Sequence, residues 1–134
     1  MLMKYMLDSN ICIYIIKNKP PAVLDKFKKH INDGICISSI TLAELEFGVS
    51  ASAFPEKNSI ALKQFLSAID VLSFDSIASA CYGAIRAELQ KQGNVIGALD
   101  MLIAGHAQSK DLTLVTNNMR EFERVHNLSV INWV

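Results

Sequence analysis

The sequence predicts an α/β fold in three layers, α/β/α, around a central, mostly parallel sheet of four to five strands. Three observations carry this. Short, nearly all-apolar runs recur at MKYML (3–7), ICIS (35–38), VLSF (71–74), LTLVT (112–116) and VINWV (130–134). Stretches of helical length, with capping and breaking residues at their ends, lie between them. Strands without polar alternation are covered on both faces, as in a parallel sheet held between helices.

The elements follow in order. After 3–7, Ser9 or Asn10 can cap a helix running to about Lys17, although β-branched residues leave helix and strand ambiguous there. Pro20-Pro21 breaks the chain and opens a helix over roughly 21–32, and Asp33-Gly34 makes a turn. After 35–38, Ser38, Ser39 or Thr41 can cap a helix containing Leu42, Ala43, Leu45 and Phe47, with Gly48 near its middle or end. Pro55 begins a helix ending near Ile69. Asp75 or Ser76 caps a long helix to about Gln92, which Gly93-Asn94 stops. A further helix covers 98–109, a short one lies around 118–124, and 130–134 is an edge strand.

With 134 residues, the chain fits one domain over 1–134. Its hydrophobic fraction of 51% supports a core and excludes a disordered chain. Thirteen basic residues balance thirteen acidic ones, so any nucleic-acid binding has to come from a local site. Cys12, Cys36 and Cys81 have no zinc-ligand spacing and are expected as buried free thiols in a reducing, cytoplasmic setting. Asp8 interrupts the first apolar stretch, so neither a secretory leader nor a membrane span is expected.

In open parallel sheets, ligands bind at the carboxyl ends of the strands. Asp8 and Asn10 follow the first strand, and Thr116, Asn117 and Asn118 follow the fourth. Glu44 lies in the first turns after the second strand, and Asp100 opens an otherwise apolar helix. Taken singly, Glu44 fits a capping box with Thr41, and Asp100 fits an acid favoured by the helix dipole. Asp8 is harder to explain that way, because a charge beside a buried strand end needs a partner. If the three converge, they need protons or cations: two carboxylates ~4 Å apart repel by about 4 kcal/mol at an effective dielectric of ~20. Oxygen ligands without His or Cys favour Mg²⁺ or Mn²⁺, and Mg²⁺ recruits phosphates.

At these residues the sequence resembles the PIN-domain ribonucleases, and within them the VapC-type toxins of bacterial toxin–antitoxin pairs. The matching pieces are MLDSNICIYII (6–16), ISSITLAELEFG (37–48), IRAELQKQG (85–93), LDMLIAGHA (99–107) and LVTNNMREFERV (114–125), in order along nearly the whole chain. The resemblance implies a PIN-like sheet with Asp8, Glu44 and Asp100 as metal-binding acids. The usual fourth acid is replaced by Asn118, and Glu121, three residues on, is the candidate to supply its charge. Thr116 and Asn117 are implied as supporting polar groups, with Asn10 in a similar role beside Asp8. The implied chemistry is Mg²⁺-dependent hydrolysis of RNA to a 5′-phosphate and a 3′-hydroxyl. The implied substrate is tRNA cut in the anticodon region, initiator tRNA being the specific expectation. A VapB-type antitoxin, a toxin homodimer, toxin–antitoxin hetero-oligomers and DNA contact only through the antitoxin are also implied. The competing readings are a catalytically weakened module that binds RNA or antitoxin, motivated by Asn118, and an Asp8-nucleophile phosphatase, which lacks its second acid at Asn10.

Three arginines are candidate RNA contacts. Arg120 and Arg124 flank Glu121 and suit phosphate, or pair with Glu121 or Glu123. Arg86 belongs either to an exposed polar helix face or to an RNA or antitoxin groove. His30, His106 and His126 have neither metal nor triad spacing and read as structural or surface groups, and Trp133 as core or subunit interface.

Overall fold

A computed structural model describes residues 2–134. Among them, one sheet of five parallel strands runs in the order β3-β2-β1-β4-β5. The strands are β1 (Tyr5–Leu7), β2 (Ile35–Ser38), β3 (Asp70–Leu72), β4 (Thr113–Val115) and β5 (Val130–Ile131). Seven α-helices flank them: α1 (Ser9–Lys17), α2 (Pro21–His30), α3 (Ser39–Ser50), α4 (Pro55–Leu66), α5 (Ser76–Lys91), α6 (Ala98–Ser109) and α7 (Met119–Phe122).

The apolar strands divide their side chains by the period of two. Tyr5, Leu7, Ile35, Ile37 and Val115 face a core built with Ile11, Ile15, Phe27, Leu45 and Phe65 of α1–α4. Met6, Cys36 and Leu114 face the opposite core, built with Ile85, Leu89, Ile103 and Ala107 of α5 and α6. Both sides of each central strand are therefore buried, which is why the strands carry no polar alternation. The second face is closely pressed: a Cβ on Gly105 of α6 would stand 2.7 Å from the Tyr82 backbone nitrogen of α5.

Several boundaries differ from the expectation. Strand pairing, not hydrophobicity, sets the strand ends: β3 begins at Asp70 because Cys36–Ser38 pair with Asp70–Leu72, leaving Ser73 and Phe74 outside. β1 starts two residues late, β4 lacks Leu112 and Thr116, and β5 keeps two residues of 130–134. The helix begun at Pro21 ends at His30 in a 3-10 turn, that from Pro55 ends at Leu66, and α7 is only four residues long. α1 is capped by Asp8 rather than by Ser9 or Asn10, and Asn18 closes it in the left-handed region at φ 58°. Cys12 and Cys36 are buried, but Cys81 is partly exposed, since α5 turns that side away from its core. Trp133 is core, stacked on His30 at 5.4 Å and edge-on to Tyr5 at 5.3 Å.

The chain builds the sheet outward from β1 through β2 to β3. It then crosses back through α5 and α6 to place β4 on β1's other side. Adjacent strands whose connections leave in opposite directions open a crevice at their carboxyl ends. Here that crevice lies between β1 and β4.

Candidate active site

Asp8 sits where β1 enters this crevice, 6% exposed, its backbone N–H held by the Val115 carbonyl at 2.9 Å. Both carboxylate oxygens are engaged. The Ser9 N–H donates to Oδ1 at 2.5 Å, and the buried Thr116 hydroxyl donates to Oδ2 at 2.7 Å. Thr116 Oγ1 also accepts the Asn118 N–H at 2.9 Å, so the turn after β4 is tied to the acid. Burial raises the Asp8 carboxyl above the usual carboxylate range, while the bonds from Thr116 and Ser9 work against that rise.

Glu44 reaches the crevice from the second turn of α3. Its Oε1 accepts the Ser9 hydroxyl at 2.8 Å. The capping box with Thr41 does not form. Ser38, the last residue of β2, caps α3 by accepting the Ile40 N–H at 3.1 Å, and Thr41 is buried inside the helix.

Asp100 stands in the first turn of α6, where Gly97 at the cap offers no side-chain partner. A Cβ on Gly97 would lie 3.4 Å from Asp100 Oδ2. The Asp100 carboxyl is pushed up to about 6, first by burial and then by the negative charges of Asp8, Glu121 and Glu44. The neighbouring Glu121 carboxyl adds to the rise at Asp100. The structure thus brings together Asp8, Glu44, Asp100, Glu121 and Thr116 from five separate parts of the chain.

The other candidates are placed differently. Asn10 is exposed and lines a cleft of about 400 Å³ between α1, α3 and α4, which Ser9 and Glu44 join from the acid side. The Asn117 side chain donates to the Tyr14 hydroxyl at 2.9 Å. Asn118 contributes its backbone N–H to the Thr116 bond. Arg120 is exposed at the start of α7. Arg124 points to the Val95 carbonyl at 3.4 Å and pairs with neither Glu121 nor Glu123. Arg86 donates to the Tyr82 hydroxyl one helical turn back, on the exposed face of α5. His106 is fully buried, with Nδ1 2.8 Å from Ser38 Oγ.

A residue that sequence reasoning passed over is Ser9, which touches both Asp8 and Glu44. Its only signal was adjacency to Asp8; the bond to Glu44 depends on how α1 packs on α3.

The acids suit a hard divalent cation. All the donors are oxygens, and the ion pairs among the described residues, His30–Asp33 and Lys110–Asp75, lie elsewhere. Cys12, on α1 four residues after Asp8, is buried, and burial, then Asp8 and Glu44, hold its thiol well above its ordinary value and therefore protonated. Among the described residues, no three acids are drawn close enough to form a ready-made cage. Mg²⁺ keeps several waters and takes one or two carboxylates, so an open arrangement of this kind fits it.

A three-layer parallel fold with acids around its switch point is the arrangement expected of the PIN domains, and the PIN-domain model matches residues 5–128. The chain is 50% identical over 133 residues to the tRNA(fMet)-specific endonuclease VapC of Shigella flexneri, covering 98% of this chain and 99% of that protein. It is 47% identical to the ribonuclease VapC2 of Haemophilus influenzae, covering 99% and 100%. Its fold matches that of the DNA-bound VapBC from Salmonella typhimurium with a TM-score of 0.94 at 44% identity, covering 99% and 100%. It also matches Rickettsia felis VapBC2, bound to a promoter DNA fragment, with a TM-score of 0.93 at 43% identity, covering 98% and 100%. The chain belongs to the PIN-domain family and, within it, to the VapC ribonucleases.

Proposed function

We propose that this endoribonuclease is the toxin of a VapBC-type pair and cuts tRNA in the anticodon region, initiator tRNA first, using Mg²⁺ held by Asp8, Glu44 and Asp100. One observation carries the reading: Asp100 lies near the acids Asp8, Glu121 and Glu44, and among the described residues no basic side chain is paired with any of them. The name of the Shigella relative supports the substrate.

Asp8, Glu44 and Asp100 would hold Mg²⁺, which when bound would supply positive charge to attract the scissile phosphate and offset the negative charge that develops on it. Asp8 is held in one orientation by Ser9 and Thr116. Glu121, beside Asp100, receives the proton of the attacking water at a carboxylate oxygen. Water adds to phosphorus in line, the bond to the 3′ oxygen breaks, and that oxygen takes a proton from solvent, leaving a 5′-phosphate and a 3′-hydroxyl. Asn118 leaves the customary fourth position uncharged, and Glu121 restores the charge one helical turn on. Arg120 is the arginine best placed for phosphate, since Arg86 and Arg124 have other partners.

The chain acts as one PIN domain in the cytoplasm, with free thiols at Cys12, Cys36 and Cys81. No helix among the described residues is long and apolar enough to cross a membrane. A VapB-type antitoxin is the partner, supported by the VapBC complexes among the structural relatives. DNA is reached through that antitoxin. The strongly exposed Phe47 and Phe54 beside α3 and α4 support a toxin homodimer and toxin–antitoxin hetero-oligomers.

The test is incubation of the purified protein with initiator tRNA, with Mg²⁺ or with chelator. Cleavage in the anticodon region that leaves a 5′-phosphate and stops in chelator is expected. Cutting that persists in chelator, or a cyclic phosphate product, overturns the mechanism. Toxicity in cells that survives Asp8→Asn and Asp100→Asn would instead favour a binding module.

A further inference from the structure

We propose that Ser9 is a positioning residue that sets the Glu44 carboxylate against Asp8, so that one hydroxyl joins α1 and α3 into a single cation site. This rests on the metal-dependent reading above.

Ser9 is the first residue of α1, and Asp8 already occupies the cap. Its backbone N–H goes to Asp8 Oδ1 and its hydroxyl goes to Glu44 Oε1, 35 residues away, at 2.8 Å. A hydroxyl has one proton to donate, and here it goes to Glu44. Glu44 has no ion-pair partner among the described residues. Its long side chain, on the rim of the open cleft, would otherwise sample several rotamers. The Ser9 bond fixes one oxygen and leaves Oε2 open. Because Asp8 is held by the same residue's N–H, the two acids are set relative to each other by a single rigid turn of backbone. Partners of ligating carboxylates orient them, and losing such a partner lowers metal affinity or activity about 10- to 100-fold.

The test is Mn²⁺ binding to the purified full chain, followed by electron paramagnetic resonance, for the parent, Ser9→Ala, Ser9→Thr, Glu44→Gln and the Ser9→Ala/Glu44→Gln pair. Thermal unfolding in chelator confirms that each variant is folded. Ser9→Ala is expected to weaken Mn²⁺ about 10- to 100-fold and to lower kcat on tRNA while KM stays near the parental value. Ser9→Thr, which keeps the hydroxyl, restores both. The double variant should bind Mn²⁺ no more weakly than Glu44→Gln alone, because Ser9 acts through Glu44. Parental Mn²⁺ affinity in Ser9→Ala, independent losses in the double variant, or failure of Ser9→Thr to rescue overturns the assignment. A parent that binds no Mn²⁺ overturns the metal-dependent reading, and this assignment with it.

Discussion

Replacing Asp100 by Asn removes a charge that three other acids oppose. The variant should lose nuclease activity and yet be more stable than the parent when no metal is present. The Asp100 carboxyl is raised from 3.8 to about 6. At 1.36 kcal/mol per unit, a fully buried group would carry a penalty on the order of 3 kcal/mol. The side chain is half-open to water, which screens the neighbouring charges, so roughly 1–2 kcal/mol remains. The sign follows from proton linkage. A carboxyl whose pKa is raised in the folded state favours folding below its unfolded value of 3.8 and loses that advantage as pH rises to about 6. Above that range the parent bears the full penalty, and Asn bears none. Thermal unfolding in chelator at pH 8 should place the Asp100→Asn midpoint higher by about 3–8 °C, taking ~3–4 °C per kcal/mol for a chain of this size. At pH 5 the advantage should shrink to about half, because folded Asp100 is then mostly protonated. Saturating Mg²⁺ should raise the parent's midpoint and leave the variant's nearly unmoved. An Asn variant no more stable than the parent at pH 8 would refute the claim that these acids face one another uncompensated.

Two further outcomes follow from the geometry. Glu121→Gln should lower kcat about 10²- to 10⁴-fold if Glu121 receives the water's proton, with KM for tRNA little changed; a parental kcat would remove it from that role. Gly105→Ala forces a Cβ to within 2.7 Å of the Tyr82 backbone nitrogen, and should cost about 1–3 kcal/mol in urea unfolding as α6 shifts off α5; an unchanged midpoint would mean that the two helices can part without penalty.

The sequence read well wherever a local pattern and its burial agree. The helix expected over about 98–109 forms at Ala98–Ser109, where an apolar stretch of that length lies between a glycine turn and the next apolar strand. Thr41-x-x-Glu44 misled, since the pattern is local but the decision is not: the pairing of β2 with β3 ends the strand at Ser38, and that residue takes the cap. Asp8 and Thr116 were legible as a pair of strand ends. Ser9 and His106 were not, because their partners Glu44 and Ser38 lie 35 and 68 residues away and only the packed helices bring them near. Arg124 looked like a phosphate ligand from its neighbours in sequence, but α7 is so short that the chain beyond it turns the guanidinium to the Val95 carbonyl.

The position of β1 between β2 and β4 has a consequence for how the acids are gathered. Asp8 and Glu44 belong to the first third of the chain, while Asp100 and Glu121 arrive only in its last third. Until Thr113–Val115 pair with Tyr5–Leu7, one flank of the first strand is open and Asp8 lacks the hydroxyl of Thr116. A chain without that pairing lacks one wall of the crevice, and Glu121 lies beyond β4, however well the first helices pack. Gathering the candidate acids therefore depends on the pairing between the two most distant parts of the sheet's centre, β1 and β4.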